Sequence, residues 1–253
     1  MNTGRVILLG AGPGDLDLLT RKAVSALLRA DVLLLDELVD PAIAELAPKA
    51  RVLRVGKRGG CRSTPQDFIQ RLMRRHALQG RTVVRVKGGE ALLFGRAGEE
   101  IAFLEAAGIE VELVNGISAG LAAAASLGMS LTHREHCHGV SFVTAHAHDG
   151  GRPDWRALAA ARTTLVIYMG MQRIGEVAAA LGEHLPAATP AAVVQWASTP
   201  RERRLVATLG TLAAEAREAG FGSPAVILVG DAVGLARAQP AAASLPRPRH
   251  VRN

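Results

Sequence analysis

Three runs in the first half of the chain that read as strands end on glycine-rich segments. Val6-Ile7-Leu8-Leu9 leads into Gly10-Ala11-Gly12-Pro13-Gly14-Asp15, and Thr82 to Val86 into Lys87-Gly88-Gly89-Glu90-Ala91-Leu92-Leu93. Glu110 to Val114 leads into Asn115-Gly116-Ile117-Ser118-Ala119-Gly120. Glycine has no Cβ, so such segments let main-chain groups approach a ligand closely, as a cofactor-binding loop requires. Two charged residues occupy comparable places: Asp36 follows the apolar run Val32 to Leu35, and Lys57 follows Arg51 to Val55 and Gly56. In an open parallel sheet, ligands bind beyond the carboxyl ends of the strands, where all these positions gather. The first loop is similar to the dinucleotide fingerprint G-x-G-x-x-G. Asp15 stands where the third glycine belongs and Pro13 stiffens the turn, which argues against a nicotinamide site.

The elements that must carry these loops follow from periodicity and punctuation. Thr20 is placed to cap a helix with Ala23, Val24, Leu27 and Leu28 on one face, and Asp40-Pro41 opens a short helix through Leu46. Thr64-Pro65-Gln66-Asp67 is expected to cap a helix reaching about Gln79, and another runs from about Arg96 to Ala107, with Gly80 and Gly108 as stops. Strands alternating with helices predict a parallel, helix-covered sheet. The second half repeats the alternation, with strands at Val140 to Ala145, Thr164 to Tyr168, Ala192 to Gln195, Leu205 to Leu209 and Ala225 to Val229. Its helices are expected near Trp155 to Ala161, Ile174 to His184 and Leu212 to Ala219. The expected fold class is therefore α/β, with two domains at 1–117 and 118–238, each a mostly parallel or mixed sheet covered by helices. A flexible tail is expected at 239–253, where Pro, Ala and Arg alternate without an apolar period.

Composition bounds the partners. No apolar run approaches the roughly 20 residues of a membrane span, and the start at Met1 enters a strand without a cleavage pattern, so a cytoplasmic protein with no membrane partner is expected. Cys61 and Cys137 are far apart and read as free thiols. The net charge of +7 is mostly arginine. Its planar fork pairs with carboxylates and phosphates, which suits nucleic acid or a polycarboxylate. With aromatics at 3%, base-stacking platforms are scarce, which counts against single-stranded nucleic acid. His133, His136, His138, His146 and His148 offer no i, i+4 pair on a helix with carboxylate support, so no metal is expected.

Taken together, Gly10 to Asp15, Asp36, Val55-Gly56-Lys57-Arg58, Lys87-Gly88-Gly89, Phe94-Gly95-Arg96, Gly116 to Ala119, Leu131-Thr132-His133-Arg134 and Tyr168-Met169-Gly170 form an ordered set. In order and spacing, from about residue 5 to 237, it resembles the uroporphyrinogen-III C-methyltransferases of the tetrapyrrole methylase family. The resemblance implies a homodimeric two-domain methylase that holds S-adenosyl-L-methionine between its domains and needs no metal. It implies methylation of uroporphyrinogen III at C2 and C7, through precorrin-1 to precorrin-2, toward sirohaem or cobalamin, with S-adenosyl-L-homocysteine as second product. By the same resemblance Pro13, Gly88, Gly89, Glu90, Leu93, Ser118, Ala119, Met169, Ala197 and Ala225 would contact the cofactor. Asp36 and Lys57 would have acid/base roles, and Arg58, His133 and Arg134 would meet the carboxylates of the tetrapyrrole. The chain departs from the pattern at Glu90-Ala91, where the family usually has Asp-Pro, and at Glu37, where arginine is common. Ala97 and Ala197 stand where glycine is frequent, and whether the added methyl groups crowd the cofactor is left open by the sequence. Two other readings stay open: a methylase of the same fold acting on a later precorrin or on ribosomal RNA, and a non-catalytic binder of S-adenosylmethionine or nucleotide.

Overall fold

The computed structural model describes residues 3–56, 64–146 and 151–237. The chain divides into two compact units, Met1–Ala122 and Ala123–Asn253. Strands β1 (Arg5–Gly10), β2 (Val32–Leu35), β3 (Arg51–Arg54), β4 (Val83–Lys87) and β5 (Glu110–Val114) form the sheet of the first unit in the order β3-β2-β4-β1-β5. Every pairing in it is parallel. Helices α1 (Arg21–Leu28), α2 (Gln66–Ala77) and α3 (Ala97–Glu105) make the crossovers. The step from β1 to β2 runs toward one edge of the sheet, whereas β3 to β4 and β4 to β5 run toward the other. Right-handed crossovers must then place α1 on one face and α2 and α3 on the opposite one. That is the observed arrangement. Ile7, Leu9, Leu33, Leu35, Val84 and Val86 pack with Ala23, Ala26 and Leu27 of α1. Val6, Leu8, Val32, Leu34 and Val83 pack with Ile69 and Met73 of α2 and Leu104 of α3. Strands covered on both faces read as continuous apolar runs, which is why the sequence shows no alternation there.

Local signals act largely as expected. Thr20 Oγ1 accepts a hydrogen bond from Ala23 N at 3.1 Å, and Asp40 Oδ1 accepts one from Ala42 N at 2.8 Å. The turn opened by Asp40, Pro41–Leu46, is a 3-10 helix. Thr64 does not cap α2. That helix starts at Gln66 behind Pro65 with no side-chain cap, and the Thr64 hydroxyl instead donates to the Gly56 carbonyl at 3.3 Å. β4 runs through Lys87 rather than stopping at Val86, which places a lysine inside a central strand.

In the second unit, β6 (Val140–Thr144), β7 (Thr164–Tyr168), β8 (Pro190–Gln195), β9 (Arg203–Thr208) and β10 (Ala225–Val229) take the order β6-β7-β10-β8-β9. Only β6 and β7 pair in parallel, so the alternation of strand and helix yields a mixed sheet here. The seven residues 196–202 joining β8 to β9 are too few for a crossover, which needs a dozen or more, so these strands form a hairpin. Helices α5 (Trp155–Ala160), α6 (Ile174–Gly182) and α7 (Leu212–Glu218) cover one face, burying Trp155, Val177, Leu181, Leu212 and Ala216 against Leu165, Ile167, Val193 and Ile227. Helix α4 (Ala119–Ser126) spans the division between the units, which falls five residues beyond the expected boundary after 117. Among the described residues no helix is long and apolar enough to cross a membrane. Lys57, Arg58, Cys61, His148 and the expected tail at 239–253 lie outside the described residues.

The ends of β1, β4 and β5 meet at three glycines. A Cβ on Gly116 would lie 2.4 Å from the Gly89 carbonyl oxygen and 2.6 Å from Gly10 C. One on Gly10 would lie 2.6 Å from Gly116 N. Those contacts are all to backbone, which cannot step aside. Gly116→Ala is therefore expected to lower stability by about 3 kcal/mol, as severe overpacking does. Gly98→Ala, in the first turn of α3 with nothing within 4 Å, is expected to raise it, by about 0.5 kcal/mol. Denaturant midpoints of the two variants check both signs.

Candidate functional site

Seven of the residues expected at the cofactor, Pro13, Gly88, Gly89, Glu90, Leu93, Ser118 and Ala119, follow the carboxyl ends of strands in the first sheet. Gly12 and Gly89 form a two-bond bridge, Gly12 N to Gly89 O at 3.1 Å and Gly89 N to Gly12 O at 2.7 Å, so the loops after β1 and β4 lie against each other with Pro13 next in line. Gly89 has φ +67°, a left-handed conformation that suits glycine. Gly88 beside it is exposed and Leu93 is partly buried. Ser118 precedes α4 and Ala119 begins it, and a Cβ on Gly89 would touch Ala119 N at 3.6 Å. Glu90 is occupied within the loops. Its Oε2 accepts from Gly116 N at 2.9 Å and Asn115 Nδ2 at 3.3 Å, and its Oε1 accepts from Leu92 N at 3.0 Å. The carboxylate thus laces the β4 loop to the β5 loop. Ala97 does not crowd this edge, because its methyl is buried in the core beneath α2 and α3 with Val83 and Leu104.

Asp36 stands one residue past β2, with its backbone N bonded to Val86 O at 3.2 Å. That places it level with Lys87, beside the start of the glycine loop. Its side chain keeps 35% of its surface exposed. Oδ1 accepts from Glu37 N at 3.0 Å and Oδ2 from Arg85 Nη2 at 3.0 Å. A Cβ on Gly56, the residue before Lys57, would lie 2.7 Å from Glu37 N, so the end of β3 also arrives next to Asp36.

Behind Asp36 lies a group of charges that sequence reasoning missed. Arg85, Lys87 and Glu100 are all buried. The two-residue period of a strand places Arg85 and Lys87 on the face of Val83, under α2 and α3. Glu100, in the first turn of α3, accepts from Lys87 Nζ at 2.9 Å and from Gln66 Nε2 at 2.8 Å. Burial pushes the Lys87 ammonium below its ordinary value, with Glu100 acting against the shift. The available signal was two cations at i and i+2 in an otherwise β-branched run.

In the second unit, antiparallel register gathers Met169, Ala197 and Ala225. Val226 pairs with Tyr168 and Ala225 with Gln195, so all three residues sit at one edge of the sheet. Met169 is half exposed with φ +56°, which rules out plain core packing. Ala197 is buried between Trp196 and Ser198, both of which have positive φ. Glu202 holds that turn: its Oε2 accepts from Ser198 N and from Ser126 Oγ of α4, each at 2.6 Å. His133 and Arg134 stand apart from this edge. Their hairpin, closed by the His133–Cys137 bridge, packs Cys137 Sγ 3.2 Å from Thr164 Oγ1 at the opposite end of β7, roughly 16 Å away along the strand. His133 Nδ1 accepts from Glu135 N at 3.2 Å. The same hairpin brings ligand atoms of His133, Glu135 and His136 within 4.8 Å of one another, a grouping that a search for helical spacing overlooks.

Burial opposes ionisation of Glu202, but the hydrogen bonds from Ser126, Ser198 and Arg204 outweigh it and hold the carboxyl below 4.5. A depressed carboxyl contributes stability that is present above its unfolded value and is lost as pH falls through the folded one. Glu202→Ala is expected to cost about 1–3 kcal/mol at neutral pH, because it leaves buried donors unpaired. The gap to the unsubstituted protein should narrow as pH drops below 4.5, which thermal melts across pH will test.

Comparison with known proteins places this arrangement. Residues 5–213 match the family model for tetrapyrrole (corrin/porphyrin) methylases. A Pseudomonas aeruginosa protein named uroporphyrinogen-III C-methyltransferase is 52% identical over 230 residues, covering 90% of this chain and 94% of its own. The crystal structure of uroporphyrin-III C-methyl transferase from Thermus thermophilus complexed with S-adenyl homocysteine superposes with a TM-score of 0.80 at 41% identity, covering 92% of this chain and all of that one. A cobalt precorrin-4 methyltransferase gives a TM-score of 0.81 at 27% identity, over 90% and 95% of the two chains. With a glycine-lined sheet edge, the same two sheets and a family match over most of its length, this chain belongs to the tetrapyrrole methylases.

Proposed function

We propose that this chain is an S-adenosyl-L-methionine-dependent C-methyltransferase that methylates uroporphyrinogen III at C2 and C7, giving precorrin-2 by way of precorrin-1. The observation that carries the reading is the laced glycine edge, Gly12 against Gly89 and Glu90 against Gly116, with Asp36 beside it. The similarity to proteins named for uroporphyrinogen III, at 52% and 41% identity against 27% for the precorrin-4 enzyme, favours the earlier substrate over a later precorrin. An arginine-rich chain suits a ligand with eight carboxylates, and few aromatics make RNA the poorer fit.

The residues present fit the cofactor. Gly88, exposed beside the Gly12–Gly89 bridge, lets a ligand approach the main chain where a side chain would stand, and the half-exposed Met169 offers a soft, adaptable apolar contact. The sulfonium of S-adenosyl-L-methionine supplies the methyl group and needs no metal to activate it. What remains for the chain is to align donor and acceptor, exclude water and handle the proton lost from the methylated pyrrole. In this reading Asp36 accepts that proton, held by Arg85 and the Glu37 amide with part of its surface still open. In the same reading Lys57 assists the proton transfer and Arg58 meets substrate carboxylates, whereas His133 and Arg134, on a hairpin at the far end of β7 from Met169, are given no part in it.

The first test is anaerobic incubation with uroporphyrinogen III and S-adenosyl-L-methionine, followed by mass spectrometry of the oxidised tetrapyrrole. Gain of two methyl groups, matched by two equivalents of S-adenosyl-L-homocysteine, is expected. Cofactor binding without methyl gain would redirect the assignment to a later precorrin or to a non-catalytic binder. Gly89→Val, which adds a branched side chain at φ +67°, is expected to abolish S-adenosyl-L-homocysteine binding in calorimetry. Lys57→Ala is expected to lower turnover while leaving that affinity within about twofold.

A further inference from the structure

The chain Gln66, Lys87, Glu100, Arg85 and Asp36 runs from α2 through β4 and α3 to the end of β2, and methyl transfer as described uses only its last member. Its geometry is specific. Arg85 places Nη2 on Asp36 Oδ2 at 3.0 Å and Nη1 on the Val86 carbonyl at 3.3 Å. Arg85 Nε lies 3.5 Å from Glu100 Oε1, close enough for an ion pair but without a hydrogen bond among the described residues. Glu100 is itself fully occupied, with Gln66 on Oε1 and Lys87 on Oε2. Gly95 leaves room for this, since a Cβ there would come 2.8 Å from Lys87 Cε.

Two cations and two carboxylates balance in charge, yet three of the four groups have been taken out of water in the middle of a parallel sheet. Buried ion pairs seldom add net stability over apolar groups of similar volume. The face they occupy is otherwise built from Val6, Leu8, Val32, Leu34 and Val83, so an apolar alternative fits the packing around it. What the charges supply that Val or Leu cannot is a fixed direction for the one member that reaches solvent. The arginine fork touches Asp36 at one end and is backed by Glu100 at the other, so the carboxylate cannot turn without breaking the Arg85 bond.

We propose that Arg85 is a positioning residue: backed by Glu100, its guanidinium fixes the Asp36 carboxylate in the orientation that proton removal requires. The inference rests on the reading of Asp36 given above. It assigns to the buried pair the task of aiming a side chain rather than of stabilising the sheet.

A double-mutant cycle on the full chain separates these roles, because residues that act as a unit are non-additive and independent ones are not. Turnover of uroporphyrinogen III is measured for the unsubstituted protein, Asp36→Asn, Arg85→Met and the double variant. S-adenosyl-L-homocysteine affinity and the melting temperature serve as fold controls. Asp36→Asn is expected to lower kcat by about 100-fold, the lower end for a general base. Arg85→Met is expected to lower kcat by about 30-fold, with KM and cofactor affinity within about threefold, as misorientation at the reacting centre does. The double variant should be no slower than Asp36→Asn within about twofold. A second full 30-fold loss in the Asp36→Asn background would mean that Arg85 acts through the fold and would overturn the proposal. Unchanged turnover in Asp36→Asn, or none in the unsubstituted protein, would overturn the reading of the site and this inference with it. If Arg85→Met fails to fold, the cycle is read with Arg85→Lys, which keeps a buried cation against Glu100 but lacks the fork that also reaches Asp36.

Discussion

The first unit depends on how closely three main chains approach at the carboxyl edge of its sheet. Adjacent strands of a sheet lie nearly 5 Å apart, and side chains normally keep their ends from coming nearer. At the ends of β4, β1 and β5 the Gly89 carbonyl, Gly10 and Gly116 pack with no room for a Cβ, and Gly12 and Gly89 exchange both of their hydrogen bonds. Glu90 then closes the third side by accepting from the Gly116 amide. A loop normally positioned by its own side chains is here positioned by backbone contact. The exposed Gly88 and partly exposed Pro13 are therefore held on rigid neighbours while remaining open to a ligand.

The central strand shows a second constraint. β4 is flanked on both sides and covered on both faces, which normally calls for an unbroken apolar run. Val84 and Val86 obey on the α1 face, while Arg85 and Lys87 break the rule on the other. The strand tolerates them because Glu100 enters from the first turn of α3, where the helix dipole also favours an anion. The same helix that buries Leu104 against the sheet thus neutralises the strand, and its register decides where Asp36 is held.

The second unit reaches a comparable edge by different means. Its sheet is mixed, so residues at one edge come from the ends of β7 and β8 and the start of β10. Left-handed turns at Met169, Trp196 and Ser198 do there what glycines do in the first unit, and Glu202 takes the part of Glu90 by anchoring a loop amide. Non-glycine residues in that conformation are costly and persist where their surroundings hold them.

Much of this was readable from the chain alone. The strand positions, the caps at Thr20 and Asp40 and the glycine stops at Gly80 and Gly108 depend on one or two residues' own conformational preferences, and such preferences are local. The glycine loops and Asp36 could be placed at strand ends for the same reason. Other features depend on which strand lies next to which. The antiparallel course of β8 to β10, the pairing of Arg85 with Asp36, which lies 49 residues earlier in the chain, and the use of Glu90 as a lace rather than a free carboxylate are of that kind. So is the hairpin that sets His133 at the far end of β7 from Met169. The sequence by itself determined where the chain turns and what each loop is made of. Tertiary structure alone decided which buried charges find partners, because the contact that makes an ion affordable in a sheet comes from a helix whose place no local preference specifies.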